Sequence, residues 1–366
     1  MKLGDLEMTE IDHYALVPVT AEREGNATLA NLITAALKRE TTDADLRQLP
    51  NFEHDYLGAL AHYLHFPIKT LPVTGPLRTP VNARYGQLEK GKIIIVDVHS
   101  ILGPQLIPKI ARSPLIASSS GLGELMCKTR NSKTTDYIFV NLVNVTADLG
   151  VGALQALGAQ LTDSAKKPVH GGGKLAKTNH VSDHDLASWQ SLNFHLYFDS
   201  SDLGPLFGQS GVVFRYQDDI GAGPEISHFL EGQVKQFDHL LQQLGFPKCC
   251  DDHFAAVGTG LGYCFRTFFK QVNFTEQTAA FLQQTKQTKA IQKIPYYFVH
   301  AANRNYRHFL NRLHKRVIVL SESELTELKN NEVNLVGFPC STNDLNEWAH
   351  FRKMIERTLR LLYFRD

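Results

Sequence analysis

Two glycine-rich turns carry the clearest chemical signal in the sequence. The first follows an apolar run of strand length and contains Asn141, Asn144, Asp148, Gly150 and Gly152. Glycines at a strand-to-helix turn let backbone amides approach a ligand closely, and the following helix N-terminus favours phosphate. This turn predicts binding of a ribose or phosphate group, with Asp148 orienting or activating a water. A turn in which Asp148 merely caps the helix is the open alternative.

The second turn runs from a short apolar strand predicted at 255–257 into a helix predicted over 265–272. Its candidate binding residues are Gly258, Thr259, Gly260, Leu261, Gly262 and Tyr263. Backbone N–H groups in such a loop can surround a diphosphate, and Tyr263 can pack on a ring. No Lys-Ser/Thr pair follows the glycines, which excludes a Walker A motif. A flexible structural turn is the alternative.

Two further segments contribute candidate groups. Asp218 and Asp219 follow the run 212–214, a predicted strand, and precede a helix that begins near Glu225. Adjacent carboxylates can activate water or stabilise a cationic transition state, although acidic residues are also favoured at helix starts. Residues 171–173 are three glycines followed by Lys174, which predicts either a phosphate flap or a linker.

Histidines near Asp97 raise the question of a metal. Asp97 and His99 have the Asp-x-His spacing of metallohydrolase ligands, and His180 and His184 have a zinc-binding spacing. The second pair lies in a polar stretch without a helical stripe, and no Glu or Cys completes the set. We therefore predict no metal site. A metal-dependent amidohydrolase centred on Asp97, His99 and His184 is kept as an alternative.

The elements that position these residues are read from hydrophobic periodicity. Continuous apolar runs, typical of strands covered on both faces, occur at 92–98, 137–143, 212–214, 296–299, 316–320 and 333–338. Helical patterns fall between them, over 226–244 and from 344 onward. Alternating strands and helices predict an α/β fold with a mostly parallel or mixed sheet and helices on both faces. Ligands in such folds bind at the carboxyl ends of the strands.

The domain prediction separates the first ninety residues from the rest. Residues 1–90 are expected to form a helical N-terminal extension, with helical spacing over 29–37 and 56–64. The proline-rich stretch from Pro67 to Pro80 is expected to be a linker or a surface arm. Residues 91–366 are expected to form one α/β domain with insertions.

Composition excludes several classes of protein. The 366 residues include 38 Lys plus Arg and 37 Asp plus Glu, so the basic excess of a general nucleic-acid binder is missing. No apolar run is long enough to predict a transmembrane helix. Five cysteines without a Cys-x-x-Cys pair favour a reduced, cytoplasmic compartment and no structural zinc.

The two glycine-rich turns together resemble those of the macrodomain family. Residues 140–144 and 149–154 are similar to the Asn-rich strand end and first glycine loop of that family. Residues 257–263 are similar to its second, diphosphate-binding loop. The resemblance implies a three-layer macrodomain-like fold. The general style of the chain also resembles atypical macrodomain effectors of intracellular bacteria, which implies delivery into a host cell.

The resemblance implies a hydrolase that removes ADP-ribose from a modified protein side chain, with arginine as one candidate acceptor. Asn141 and Asn144 would hold the distal ribose, and either Asp97 or Asp136 would contact adenine. One of Asp148, Asp218 and Asp219 would act at the anomeric carbon. A non-catalytic ADP-ribose-binding module is the alternative hypothesis. The expected partner is ADP-ribose or an ADP-ribosylated protein, with no cofactor, nucleic acid or membrane span.

Overall fold

The computed structural model describes residues 13–17, 45–48, 55–285, 296–300, 316–321 and 337–339. Contacts divide the chain into two compact units. One unit comprises Met1–His65 and Phe281–Asp366, and the other comprises Phe66–Ala280. The boundary between residues 90 and 91 stays a prediction.

The strands of the described residues are numbered in chain order. They are β1 (His13–Val17), β2 (Asp45–Gln48), β3 (Ile68–Thr74), β4 (Pro80–Leu88), β5 (Ile93–Asp97), β6 (Asp136–Val140), β7 (Gln160–Thr162), β8 (His180–Ser182), β9 (Asn193–Phe198), β10 (Val272–Glu276), β11 (Tyr296–His300), β12 (Arg316–Ser321) and β13 (Gly337–Pro339).

The α-helices are numbered in the same way. They are α1 (Tyr56–Leu64), α2 (His99–Leu102), α3 (Ser120–Thr129), α4 (Val151–Ala156), α5 (Val212–Arg215), α6 (Gln217–Ile220), α7 (Pro224–Gln243), α8 (Leu261–Phe268) and α9 (Gln277–Thr285).

The unit Phe66–Ala280 contains a mostly parallel sheet with the strand order β10-β9-β6-β5-β4-β3. Strands β5, β6, β9 and β10 are parallel, whereas β4 is antiparallel to both β5 and β3. Strand β3 therefore runs in the direction of β5, and the carboxyl ends of β3, β5, β6, β9 and β10 lie at one edge of the sheet. We call this the carboxyl edge.

Aromatic packing holds the centre of this sheet to α8. Tyr137 and Phe139 of β6 stack with ring centroids 6.1 Å apart, and Phe265 of α8 meets Phe139 and Phe194 edge-on at 5.2 and 5.3 Å. All four side chains are at most 1 % exposed. Burial of a side chain of this size contributes about 1.5–3 kcal/mol, so this cluster fixes the central strands and the start of α8.

Helix α7 confirms the helix predicted over residues 226–244. Its buried face includes Leu230, Val234, Phe237 and Leu241, at the helical spacing expected from the sequence. Gly245 has φ 85°, the left-handed conformation that commonly ends a helix. The strands predicted at 92–98 and 137–143 are confirmed as β5 and β6.

Three local predictions are wrong. Residues 212–214 form the start of helix α5 rather than a strand, and residues 255–257 lie in a turn. The proline-rich stretch is not a linker, because β3 and β4 pair across it from Ile68–Gly86 to Thr74–Pro80. Prolines are tolerated there because β3 is an edge strand and Pro80 is the first residue of β4.

The other unit contains a parallel sheet with the strand order β13-β12-β11-β1-β2. The strands predicted at 296–299 and 316–320 are confirmed as β11 and β12, and β13 covers the end of the run predicted at 333–338. The helices predicted over 29–37 and from 344 onward lie outside the described residues. Both units are thus α/β, with mainly parallel sheets. In the part of the chain that the structure describes, no helix has the length and apolarity needed to cross a bilayer.

Candidate functional site

The buried carboxylate of Asp97 contacts several polar groups at the carboxyl edge. Asp97 ends β5, is 2 % exposed, and its Oδ2 lies 3.1 Å from Nη1 of Arg84 in β4. Asn141, directly after β6, donates from Nδ2 to the other oxygen of Asp97 at 3.0 Å. Ser100 Oγ donates to the Asp97 carbonyl and accepts from the Arg84 backbone N–H. We call Arg84, Asp97, His99, Ser100 and Asn141 the Asp97 cluster.

Asn141 reaches Asp97 because its backbone is left-handed, with φ 54°. Asparagine tolerates this region better than most residues with a side chain. The reversal turns the chain sharply at the end of β6. The sequence prediction thus selected two residues, Asp97 and Asn141, that the structure brings together.

His99 lies at the start of α2, within the same cluster. Its Nε2 is buried and has no hydrogen-bond partner in the described part of the chain. Burial lowers the pKa of His99, while the charges of Asp97 and Asp219 oppose that shift. The imidazole is therefore neutral near pH 7, and it carries a nitrogen without a partner beside a carboxylate and a cation.

Asp148 is fully engaged in local structure. Its Oδ2 accepts from Ser119 N at 2.8 Å, from Ser119 Oγ at 3.0 Å and from Gly152 N at 3.2 Å. Its Oδ1 accepts from Gly150 N at 3.1 Å. The residue is 1 % exposed and joins the starts of α3 and α4. This geometry favours the capping alternative over a role in activating water.

Asn144 ties the first glycine-rich turn to the second. It is fully buried, and its Nδ2 donates to the carbonyls of Leu142 and Gly258. Its Oδ1 accepts from the backbone and hydroxyl of Thr146, and its backbone N donates to Thr259 Oγ1 at 3.2 Å. The side chain is occupied by the protein itself.

The second turn is buried rather than open to a ligand. Gly258, Thr259 and Gly260 have φ 61°, 56° and 94°. A Cβ at Gly260 would collide with Leu149 of the first turn, and one at Gly262 would collide with the Phe254 carbonyl. The glycines thus allow two turns to pack closely. Leu261 is 2 % exposed and belongs to the core at the start of α8.

Tyr263 also belongs to the core. It is 1 % exposed, and its hydroxyl donates to Oδ1 of Asp238 in α7 at 2.8 Å. Burial raises the pKa of this phenol, and the Asp238 charge raises it further. The side chain is therefore a buried hydrogen-bond donor between α8 and α7.

The two adjacent carboxylates, Asp218 and Asp219, have different surroundings. Both lie on α6, so neither follows a strand. Asp218 is exposed and pairs with Lys109 at 3.0 Å. Asp219 is half-buried, and burial raises its pKa while the Arg112 guanidinium opposes the shift. The Asp219 charge opposes the lowering of the His99 pKa, and Asp218 is not among the groups that act on His99, so Asp219 is the nearer of the two to the Asp97 cluster.

Sequence reasoning missed Arg84 and Ser100. Arg84 lies just after the stretch that was predicted to be a linker, within the segment that was assigned to the helical N-terminal extension. An alternating signal was present there, because Ala83 and Tyr85 are buried while Arg84 between them is not. The prolines that precede and begin this strand concealed it, and with it the cation of the cluster.

Comparisons with known proteins place the chain in a family of kinases. The sequence pattern of the Glycerate kinase family matches residues 26–299. The match covers well over half of the chain, and the chain belongs to the glycerate kinase family.

Curated relatives agree with this assignment. A glycerate kinase from Haemophilus influenzae (strain ATCC 51907 / DSM 11121 / KW20 / Rd) is 28 % identical over 238 residues, which are 64 % of this chain and 62 % of the relative. A glycerate kinase from Bacillus subtilis (strain 168) is 27 % identical over 244 residues, or 66 % and 64 %. A glycerate 2-kinase from Escherichia coli (strain K12) is 29 % identical over 199 residues, or 54 % and 51 %. The chain thus spans between half and two thirds of these relatives.

A solved structure shares the fold. The crystal structure of putative glycerate kinase 2 from Salmonella typhimurium LT2 has a TM-score of 0.72 and 20 % sequence identity. The superposition covers 96 % of this chain and 97 % of the other. At this identity the similarity establishes the fold alone.

These findings correct the family and the function predicted from the sequence. The macrodomain resemblance is wrong, and so are ADP-ribosyl hydrolase, ADP-ribose-binding module, amidohydrolase and bacterial effector. ADP-ribose and ADP-ribosylated protein are therefore wrong as partners. The physical reason is that the two glycine-rich turns pack on each other. For the amidohydrolase, no group of three His, Cys, Asp or Glu side chains is placed to hold a metal within the described ranges.

Proposed function

We propose that this protein is a glycerate kinase, which transfers the terminal phosphoryl group of a nucleoside triphosphate to a hydroxyl of glycerate. The observation that carries the proposal is the family match over residues 26–299. The names of the Haemophilus influenzae, Bacillus subtilis and Escherichia coli relatives support it.

Phosphoryl transfer depends on the positioning of substrates and on stabilisation of negative charge more than on covalent chemistry by the protein. Glycerate presents one carboxylate and two hydroxyls. A site for it therefore needs a cation and hydrogen-bonding groups in a fixed arrangement. The Asp97 cluster supplies both at the carboxyl edge, where α/β sheets bind ligands.

We assign the glycerate site to this cluster. The Arg84 guanidinium, whose side chain is 34 % exposed, attracts the carboxylate of the substrate. Asp97 holds Arg84 and Asn141 in place and is a positioning residue. His99 is neutral because of its burial, and its Nε2 is buried too, so we assign His99 no contact with the substrate. A divalent cation arrives with the nucleotide as part of the substrate.

The test measures glycerate-dependent ADP formation by the purified full-length chain. Wild-type protein with magnesium-ATP should form ADP only when D- or L-glycerate is present. Arg84→Gln should raise the KM for glycerate by about tenfold or more, since about 1.4 kcal/mol of lost binding is a factor of ten. The KM for ATP should change far less.

Asp185→Asn is the matched control for a charge change, because the Asp185 side chain is 58 % exposed and lies outside the cluster. It should leave both KM values unchanged. Absence of glycerate-dependent ADP from folded wild-type protein would overturn the proposed function. Normal glycerate kinetics in Arg84→Gln would instead move the substrate site away from the Asp97 cluster.

A further inference from the structure

Among the described residues, four unpaired cations and one histidine, His170, lie together outside the Asp97 cluster. Burial and the charges of Arg78 and Lys174 lower the pKa of His170, so this imidazole is neutral near pH 7. Two adjoining cavities of about 320 and 300 Å³ share His170 and Lys174 in their walls. Arg78 lines the first cavity, and Lys167 and Lys177 line the second. We call these five residues the basic surface. They lie within the unit Phe66–Ala280.

Positive charge exceeds negative charge on the basic surface, with four cations against one carboxylate in the cavity walls. Within the described chain, neither Arg78 nor any of its three lysines forms an ion pair. The carboxylate in the cavity walls is Asp163, whose Oδ1 already accepts from the backbone N–H groups of Ala165 and Lys167 at 2.9 Å. Like charges gathered in this way repel one another and attract an anion.

The backbone of Arg78 is an independent observation. Arg78 closes the β3–β4 hairpin, where its N–H donates to the Gly75 carbonyl at 3.0 Å and Gly75 N donates to Thr79 O at 2.7 Å. Its φ is 65°, a left-handed conformation in which a side chain is strained and a glycine is not. A non-glycine residue in this conformation is uncommon and persists where the surrounding turn holds it, so the hairpin keeps Arg78 at the mouth of the first cavity.

The other two polar residues of the first cavity, His170 and Lys174, flank a closely packed run of three glycines. A Cβ at Gly171 would collide with the Leu115 carbonyl, and one at Gly172 would lie 2.7 Å from Ala147. The N–H groups of Gly172 and Gly173 donate to Pro114 and Leu115 at 3.2 and 3.1 Å. The three glycines thus pack closely against residues 114–116, and His170 and Lys174 stand at the two ends of this packed segment.

The segment 114–118, whose carbonyls accept from the glycines, also contacts the Arg78 hairpin. Ser118 N donates to the Pro76 carbonyl at 2.9 Å, which ties the segment that supports the glycines to the hairpin. Ile116, 62 % exposed, and Leu77 form an apolar wall beside the cations. A ligand with several negative charges and an apolar portion matches this combination.

We propose that the basic surface binds the polyphosphate chain of a nucleoside triphosphate. The inference rests on the proposed function, because a kinase needs such a donor, and it deepens that function by giving the donor a place. Lysine and arginine are the usual partners of phosphate groups, and arginine adds bidentate geometry.

The experiment measures binding without turnover. Inorganic tripolyphosphate and magnesium-ATP are titrated separately into the full-length chain by calorimetry, at low and at moderate salt. Both should bind wild type, more weakly at the higher salt. Lys174→Gln should weaken both by at least fivefold. Lys133→Gln, an exposed lysine in the loop before β6, is the matched control and should stay within twofold of wild type.

Arg78→Gly separates binding from folding. It removes the cation and also the left-handed strain, so it should weaken both ligands by at least tenfold while the melting temperature equals or exceeds that of wild type. Binding as tight in Arg78→Gly and Lys174→Gln as in Lys133→Gln would overturn the inference, as would absence of binding to wild type. Loss of binding in these variants, in a protein that forms no phosphoglycerate, would support the surface and overturn only the proposed function.

Discussion

Replacing Asp148 by Asn tests whether this buried carboxylate supports the fold or performs chemistry. The carboxylate accepts hydrogen bonds from four donors, three of them at Oδ2 and one at Oδ1. An asparagine keeps the shape, but its NH₂ group must face one set of donors. The lower-cost orientation places the NH₂ against Gly150 N and leaves three donors on the oxygen.

The magnitude follows from these contacts. The Gly150 N–H loses its acceptor, and a buried unsatisfied group costs about 1–3 kcal/mol. The three remaining hydrogen bonds lose their charge assistance, which adds roughly 1–2 kcal/mol. We expect about 3 kcal/mol in total. For a unit of about 200 residues this corresponds to a fall in melting temperature of roughly 6–12 °C.

The assay compares urea unfolding and thermal melting of wild type, Asp148→Asn and the exposed control Asp185→Asn. The control should remain within about 0.5 kcal/mol of wild type. If Asp148→Asn unfolds like the control while its turnover falls a hundredfold or more, Asp148 acts in catalysis and our interpretation of its geometry is wrong.

Three further predictions concern packing and pH. Gly260→Ala should destabilise the protein by about 2 kcal/mol or more in urea unfolding, because the φ of Gly260 is 94° and the added Cβ meets Leu149. Gly232→Ala in α7 is the control; its Cβ enters open space, and the variant should be more stable than wild type by about 0.5–1 kcal/mol. Equal changes in the free energy of unfolding for the two variants would contradict this. Tyr263→Phe should cost about 1–3 kcal/mol by the same measurement, because the buried Asp238 carboxylate loses a hydrogen bond; an unchanged midpoint would refute it. The pKa of Asp136 is lowered because hydrogen bonds from Thr135 and His195 outweigh its burial, so its contribution is present above the ordinary value of 3.8 and is lost as pH falls through the lowered pKa. Wild type should therefore lose more stability than Asp136→Asn between pH 5 and about pH 2, and parallel pH profiles would rule this out.

The parts of the fold that the sequence predicts are those with strong local periodicity. Strands β5 and β6 are nearly continuous apolar runs with few competing interpretations, and α7 has a clear helical stripe. Residues 212–214 form a run too short to distinguish a strand from a buried helical turn. In β3 and β4, the sequence prediction gave more weight to the prolines than to the alternating pattern of the strands. The edge position of β3, which the sequence does not reveal, explains why this strand tolerates proline.

The candidate site shows the same limit. Asp97 and Asn141 follow strands that are adjacent and parallel, so the ends of β5 and β6 place them together. The role of the glycine-rich turns could not be decided from the sequence, because a glycine that admits a phosphate and a glycine that admits Leu149 have the same local sequence pattern. Burial decides between them, and burial depends on contacts between segments more than 100 residues apart, such as Asn144 with Gly258.

The most direct test of the central claim follows the product of the reaction by phosphorus NMR. Purified full-length protein is incubated with magnesium-ATP and glycerate, with heat-denatured protein as the control. Our account predicts a new phosphomonoester resonance that grows at the rate at which ADP appears and that is absent without glycerate. A folded protein that leaves ATP and glycerate unchanged, or that releases only inorganic phosphate, would contradict it.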